Sequence, residues 1–222
     1  MKVLAEVTPN KKLNKLKNEI DKLSIFDGFD VPDAPLGEPN MLPVSIATIL
    51  RLKFEDKEII VNQRLHDVNE LYVHSLSITA RSFNFNLLFT KGDKPKVGKE
   101  VGYLNSEEAV MIAKNYGVKS GMILSLRKAD TEILHRLHFP ADFYLVLNYT
   151  MEKLLKFSEY NIIPYIIIIT EKNKEIVYKL NQNYFKLGEI KQIFEYLESN
   201  NIKKVLVSAP NDIESLYKLL KK

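Results

Sequence analysis

In VLAEVT, residues 3–8, a glutamate sits inside an apolar run, flanked by Ala5 and Val7. Burying a carboxylate without a partner is costly, so Glu6 must be paired, placed at a wet edge, or used. Its position asks for a reason, and a structural ion pair with Arg64 or a lysine is the bland one. The same pattern recurs along the chain. Asn62 and Arg64 close EIIVNQR, Asp93 follows NFNLLFT within KGDKP, Arg127 and Lys128 follow GMILSL, and Asn148 closes DFYLVLN. Asp93 alone also suits an ordinary turn, in which it bonds its own backbone. His66, His74, His135 and His138 show no ligand spacing with carboxylates, and the chain has no cysteine, so no metal site, disulfide or cysteine nucleophile is expected.

These polar positions need elements to hold them. Apolar strands are expected over 3–8, 26–31, 58–64, 84–90, 121–126, 142–148, 164–170 and 203–208. Helical patterns alternate with them. KKLNKLKNEIDKL (11–23) carries apolar residues at 13, 16, 20 and 23, and further helices are expected over roughly 43–54, 67–80, 106–117, 129–138, 150–161, 188–200 and 211–222. Ser106 with Glu108 suggests a capping box, and Asn211 or Asp212 an N-cap for the last helix. Residues 171–187 fit neither period. Eight such repeats predict a single (β/α)8 TIM barrel, one domain over residues 1–222. An open doubly wound sheet would want a glycine-rich phosphate loop after its first strand, and VTPNKK has no glycine. In a barrel, the polar residues at strand C-termini gather at one mouth.

Composition bounds the function classes. Thirty-two Lys and Arg against 28 Asp and Glu give a net charge of +4, spread along the chain instead of gathered into a stripe, so no nucleic-acid partner is expected. MKVLAEVTPN has no long apolar segment, and no 18-residue uncharged apolar run follows, which predicts a cytoplasmic protein without a membrane span. A homo-oligomer is a reasonable expectation for a barrel of this size.

The pieces AEVTPN, FDGFDVPDAPLGEPN, VNQRLHDVNEL and FNLLFTKGDKP, continued by GYLNSEEAVMIAKNYG and FPADFYLVLNYTMEKLLKFSEY, resemble in order and spacing the methylenetetrahydrofolate reductase family and its short archaeal and bacterial relatives. The likeness covers about residues 3–160. It implies an eight-stranded barrel flavoprotein of one-carbon metabolism and methionine biosynthesis. Such an oxidoreductase reduces a methylene-tetrahydropterin, of folate or archaeal type, to the methyl form. The implied cofactor is a flavin, FAD ahead of FMN, with NAD(P)H as electron donor. Glu6 would be the general acid that opens the methylene bridge while flavin N5 supplies hydride. Asp93 would lie by the flavin ring and the pterin, and Asn62, Arg64, Asp67 and Asn69 would fall in the flavin motif. Arg136 would take a lysine position near the cofactor phosphate.

Two positions depart from that pattern. Asn62 replaces a flavin-contacting histidine, and Leu147 and Asn148 stand where the family has a substrate-contacting glutamine, so Asn148 serves only with the register shifted by one. The chain is also shorter than a typical family enzyme. These departures keep a second function open: a non-reducing protein that binds a tetrahydropterin or methyl carrier and works beside a methyltransferase or an electron-transfer partner. A barrel aldolase would want a lysine inside a strand near the mouth, and only Lys203 and Lys204, at the wrong end of theirs, come close.

Overall fold

The computed structural model describes residues 1–8 and 13–221. Its strands are β1 (Lys2–Glu6), β2 (Gly28–Pro32), β3 (Glu58–Arg64), β4 (Asn86–Thr90), β5 (Ser120–Ser125), β6 (Phe143–Leu147), β7 (Ile162–Ile169), β8 (Tyr184–Lys186) and β9 (Lys204–Ser208). Seven of them follow one another in order from β1 to β7, and an eighth, β9, pairs with both β7 and β1, which closes a single parallel (β/α)8 barrel. The helices are α1 (Leu13–Glu19), α2 (Pro43–Lys53), α3 (Glu70–Phe83), α4 (Ser106–Asn115), α5 (Asp130–Leu137), α6 (Met151–Leu155), α7 (Lys174–Lys179), α8 (Ile190–Ser199) and α9 (Ile213–Leu220). None of the described helices is long and apolar enough to cross a membrane.

The chain divides into two compact units. The first is Met1–Glu6, Glu19–Asp27 and Leu124–Lys222; the second is Val7–Asn18 and Gly28–Ile123. In the first, β7 is the sequence IIPYIIII, whose β-branched run suits a strand buried on both faces. Pro164 cannot donate to a ladder; it pairs with Val146 of β6, one residue before the register with β9 begins at Tyr165. The stretch 171–187 resolves into α7 and β8. Ile167 is bonded to Ser208 of β9 on one side and to Tyr184 of β8 on the other, so β8 lengthens the C-terminal end of β7 beyond β6.

In the second unit, β2, β3, β4 and the start of β5 run side by side, with Val31 opposite Val61 and Val61 opposite Leu87. All three side chains are fully buried. The helix expected over 67–80 lies at 70–83. Asn69 caps it, its side chain accepting from the Tyr72 N–H, and Asn84 ends it in a left-handed conformation, φ 54°. The α4 capping box uses Asn105 with Glu108, one residue ahead of the expected Ser106, because Asn105 already has the extended backbone of an N-cap. Asp212 caps α9. Lys11, Lys12 and Lys222, counted within the expected first and last helices, lie outside the described residues.

Candidate functional site

The first unit builds its polar cluster from three neighbouring strands. Leu4 is opposite Leu206, and Leu206 is opposite Tyr165. Because side chains alternate along a strand, Leu4 and Glu6, Leu206 and Ser208, and Tyr165 share one face. At its C-terminal end this puts two hydroxyls on the half-buried Glu6. The Tyr165 phenol donates to Oε2 at 2.6 Å and the Ser208 hydroxyl donates to Oε1 at 2.9 Å. Tyr149 steadies the arrangement: its buried phenol donates to the Tyr165 carbonyl at 3.3 Å, and burial raises its pKa above the ordinary tyrosine range. Asn183 donates to the Tyr149 carbonyl at 2.8 Å, which ties the segment before β8 to the cluster.

Asn148, directly after β6, adopts a left-handed backbone, φ 54°. Its Nδ2 donates to Ser125 Oγ at 3.3 Å, while its buried Oδ1 accepts no hydrogen bond among the described residues. Strained backbone and an unmet buried acceptor together mark a position able to receive a ligand N–H. Leu147 contributes its carbonyl to the Leu126 N–H at 3.0 Å, a contact that any residue type could make. Arg136 lies half-buried on α5, and its carbonyl accepts from the Tyr144 phenol at 3.0 Å.

Arg64 organises the second unit's cluster. Among the described residues it is the largest fully buried side chain. Its Nε meets Asp67 Oδ2 at 2.5 Å, Nη2 donates to the Asp93 carbonyl at 2.7 Å, and Nη1 donates to the Ala34 carbonyl at 3.3 Å. One guanidinium therefore fastens the segments that follow β2, β3 and β4. Asp93 participates through its backbone, and its side chain is exposed. The glycine of KGDKP is required here. Gly92 has φ +81°, and a Cβ on it would lie 3.1 Å from Arg64 Cβ. Gly37, φ +71°, is more constrained still, since a Cβ there would meet the Lys94 carbonyl oxygen at 2.1 Å. Asn62 is buried on β3, opposite Pro32 and Leu88.

Sequence reasoning passed over four residues of these clusters. Asp33 follows β2 directly; its carboxylate accepts from Gln63 Nε2 at 2.6 Å and from the Arg64 backbone N–H. Gln63 is fixed in turn, since Tyr72 of α3 donates to its Oε1 at 3.2 Å. Burial pushes the Asp33 carboxyl up from its ordinary 3.8 to about 6, against the opposing pull of Arg64. Asp33 ends the second strand as Asn148 ends the sixth, so the rule about strand C-termini would have found it. Ser208 ends β9 and obeys the same rule. Tyr165 carried no such signal, being one aromatic in an isoleucine run, and Gln63 was hidden between Asn62 and Arg64.

No family model matches the chain, and no curated protein matches it in sequence. Solved structures do match it. A Clostridium thermocellum protein that binds two copies of 5-methyl-5,6,7,8-tetrahydrofolic acid superposes with a TM-score of 0.68 at 13% identity, over 99% of this chain and 93% of its own. The likeness is one of fold. The tryptophan synthase complex of Pyrococcus furiosus reaches 0.63 at 11% identity, covering 99% of this chain and 96% of that one. A 2,3-dimethylmalate lyase of the PEP mutase/isocitrate lyase superfamily reaches 0.61 at 10% identity, covering 99% and 78%. Proteins so different in chemistry share the barrel, so function must be argued from the side chains.

Proposed function

We propose that this chain binds a reduced pterin of the methyl-tetrahydrofolate class, without itself reducing it, and presents that methyl carrier to a methyltransferase partner. The observation that carries the reading is the Glu6 carboxylate, held at the end of β1 by Tyr165 and Ser208. Two fixed hydroxyls preorganise a carboxylate at the end of a barrel strand, the kind of acceptor that the N–H groups of a pterin ring call for. Asn148, with its unmet Oδ1, supplies a second acceptor in the same unit. The motif resemblance and the fold likeness to a protein that binds 5-methyltetrahydrofolic acid point to the same ligand class.

The reductase reading shares Glu6 and adds a flavin, NAD(P)H and a hydride transfer. Its motif resemblance supports it, but two of the side chains assigned to the flavin, Arg64 and Asn69, hold local structure within the chain. Arg64 is committed to Asp67 and two carbonyls, Asn69 caps α3, and Asp93 offers Arg64 its backbone. Arg64 and Asn69 are thus occupied in holding the fold, which favours the binding protein. Retention of FAD or FMN after mixing and exhaustive dialysis would favour the reductase over the binding protein.

Calorimetric titration with 5-methyltetrahydrofolate tests the binding reading. The wild-type protein is expected to bind, and Glu6→Gln to bind about tenfold to hundredfold more weakly, because the amide replaces a charge-assisted acceptor. Equal affinities would reduce Glu6 to a structural partner of Tyr165 and Ser208. No heat with the wild-type protein would remove the reading.

A further inference from the structure

The turn that follows β2 is built against its own local preferences. Ala34 and Leu36, neither a glycine, hold left-handed backbones of φ 38° and φ 60°, and Gly37 follows at φ +71°. Such conformations persist only where the surroundings over-determine them. Here they do: Arg64 Nη1 bonds the Ala34 carbonyl, the Lys96 N–H donates to the Gly37 carbonyl at 3.0 Å, and Lys94 leaves no room for a Cβ on Gly37. What the strained turn fixes in place is the first residue before it, Asp33.

Asp33 is also a carboxylate without a counter-charge of its own. The charged and titratable groups set against it are Arg64 and Asp67 from the end of β3 and the Tyr72 phenol from α3. The Arg64 guanidinium is committed to Asp67 and to two carbonyls, Asp67 repels, and Tyr72 is turned to Gln63. The direct bonds to Asp33 come from neutral donors, the Gln63 amide and a backbone N–H. They occupy two of a carboxylate's roughly four acceptor sites. A purely structural carboxylate would be expected beside the guanidinium; this one is held apart, partly desolvated and rigid.

We infer that Asp33 is a ligand-binding carboxylate for the 2-amino-4-oxopyrimidine edge of a pterin, taking the ring N–H and the exocyclic amino N–H as two parallel hydrogen bonds. This assignment rests on the pterin-binding reading for the ligand class, and it concerns the second unit by itself, where neither the motif resemblance nor the fold likeness identifies a recognition group. Paired N–H donors compensate the ionised carboxylate, so binding draws Asp33 toward its charged form and releases a proton wherever the free carboxyl holds one. The free carboxyl titrates near 6. Affinity carried by Asp33 is therefore full above that pH and declines below it.

The test is calorimetric titration with 5-methyltetrahydrofolate from pH 5 to pH 8, wild type beside Asp33→Asn. The quantity read is the ratio of the two affinities, in which the ligand's own ionisation cancels. The expected ratio is about tenfold to hundredfold at pH 8, falling toward one as the pH drops below about 6. Heats measured in two buffers of different ionisation enthalpy should show proton release with the wild-type protein only. Thermal melts accompany each titration, and the variant is expected to melt higher, so lost affinity is not lost fold. A ratio of one at every pH overturns the assignment and leaves pterin binding standing. A ratio above one that does not change with pH also overturns it, since the difference is then steric. Failure of the wild-type protein to bind overturns both.

Discussion

Replacing Asp33 with asparagine is expected to stabilise the free protein by roughly 3 kcal/mol at neutral pH, the equivalent of a carboxyl shifted from 3.8 to about 6. The direction follows from linkage. In the folded chain the carboxyl holds its proton to higher pH than in the unfolded chain. Its contribution to stability is therefore complete below pH 3.8, falls as the pH rises to about 6, and stays lost above. An asparagine has the same volume, can still accept from Gln63, and has nothing to ionise. The melting temperature of Asp33→Asn should exceed that of the wild type by about 6–12 °C at pH 7.5, with the gap closing toward pH 4. An unchanged or lower melting temperature at pH 7.5 would mean that the native carboxylate is already compensated. A residue that destabilises its own fold is expected where binding needs a group preorganised before the ligand arrives.

Arg64→Met should act in the opposite direction and more strongly. Methionine fills much of the same volume but leaves Asp67 without its partner and the Ala34 and Asp93 carbonyls without their donor. Asp67 is exposed and returns to water, so the cost falls on the two carbonyls left without a donor, about 1–3 kcal/mol for each. Arg64→Lys should fall between, since a lysine keeps the charge but cannot span three segments with a planar fork. Urea denaturation measures all three proteins, and proteolysis within 91–99 should quicken in the methionine variant as the Asp93 anchor is released. A loss below about 1 kcal/mol would show that the segments after β2 and β4 hold without Arg64.

The barrel was legible because its signal is repeated: eight apolar runs of strand length, each followed by a helical period, allow few other closures. Boundaries moved where a side chain made a more specific commitment than the period did, as with Asn69, which starts α3 three residues later than the pattern expects. The stretch 171–187 was opaque because β8 has only three residues and forms by pairing with β7, a long-range event that no local period records. At the site, Glu6 and Asn148 stood out as polar residues at strand ends. Asp33 did not, because what sets it apart is its surroundings: a strained turn, a neighbouring guanidinium engaged elsewhere, and a desolvated carboxyl. The motif that points to Arg64 and Asp67 carries no sign of the contacts by which Arg64 joins three loops, because its partners after β2 and β4 are backbone carbonyls distant in sequence.

The most direct measurement is a crystal structure of the protein grown with 5-methyltetrahydrofolate. The expected result is a pterin ring with an N–H within hydrogen-bond distance of a Glu6 oxygen, while Tyr165 and Ser208 still donate to that carboxylate. A pterin seated away from Glu6, or no bound pterin at millimolar ligand, would contradict it.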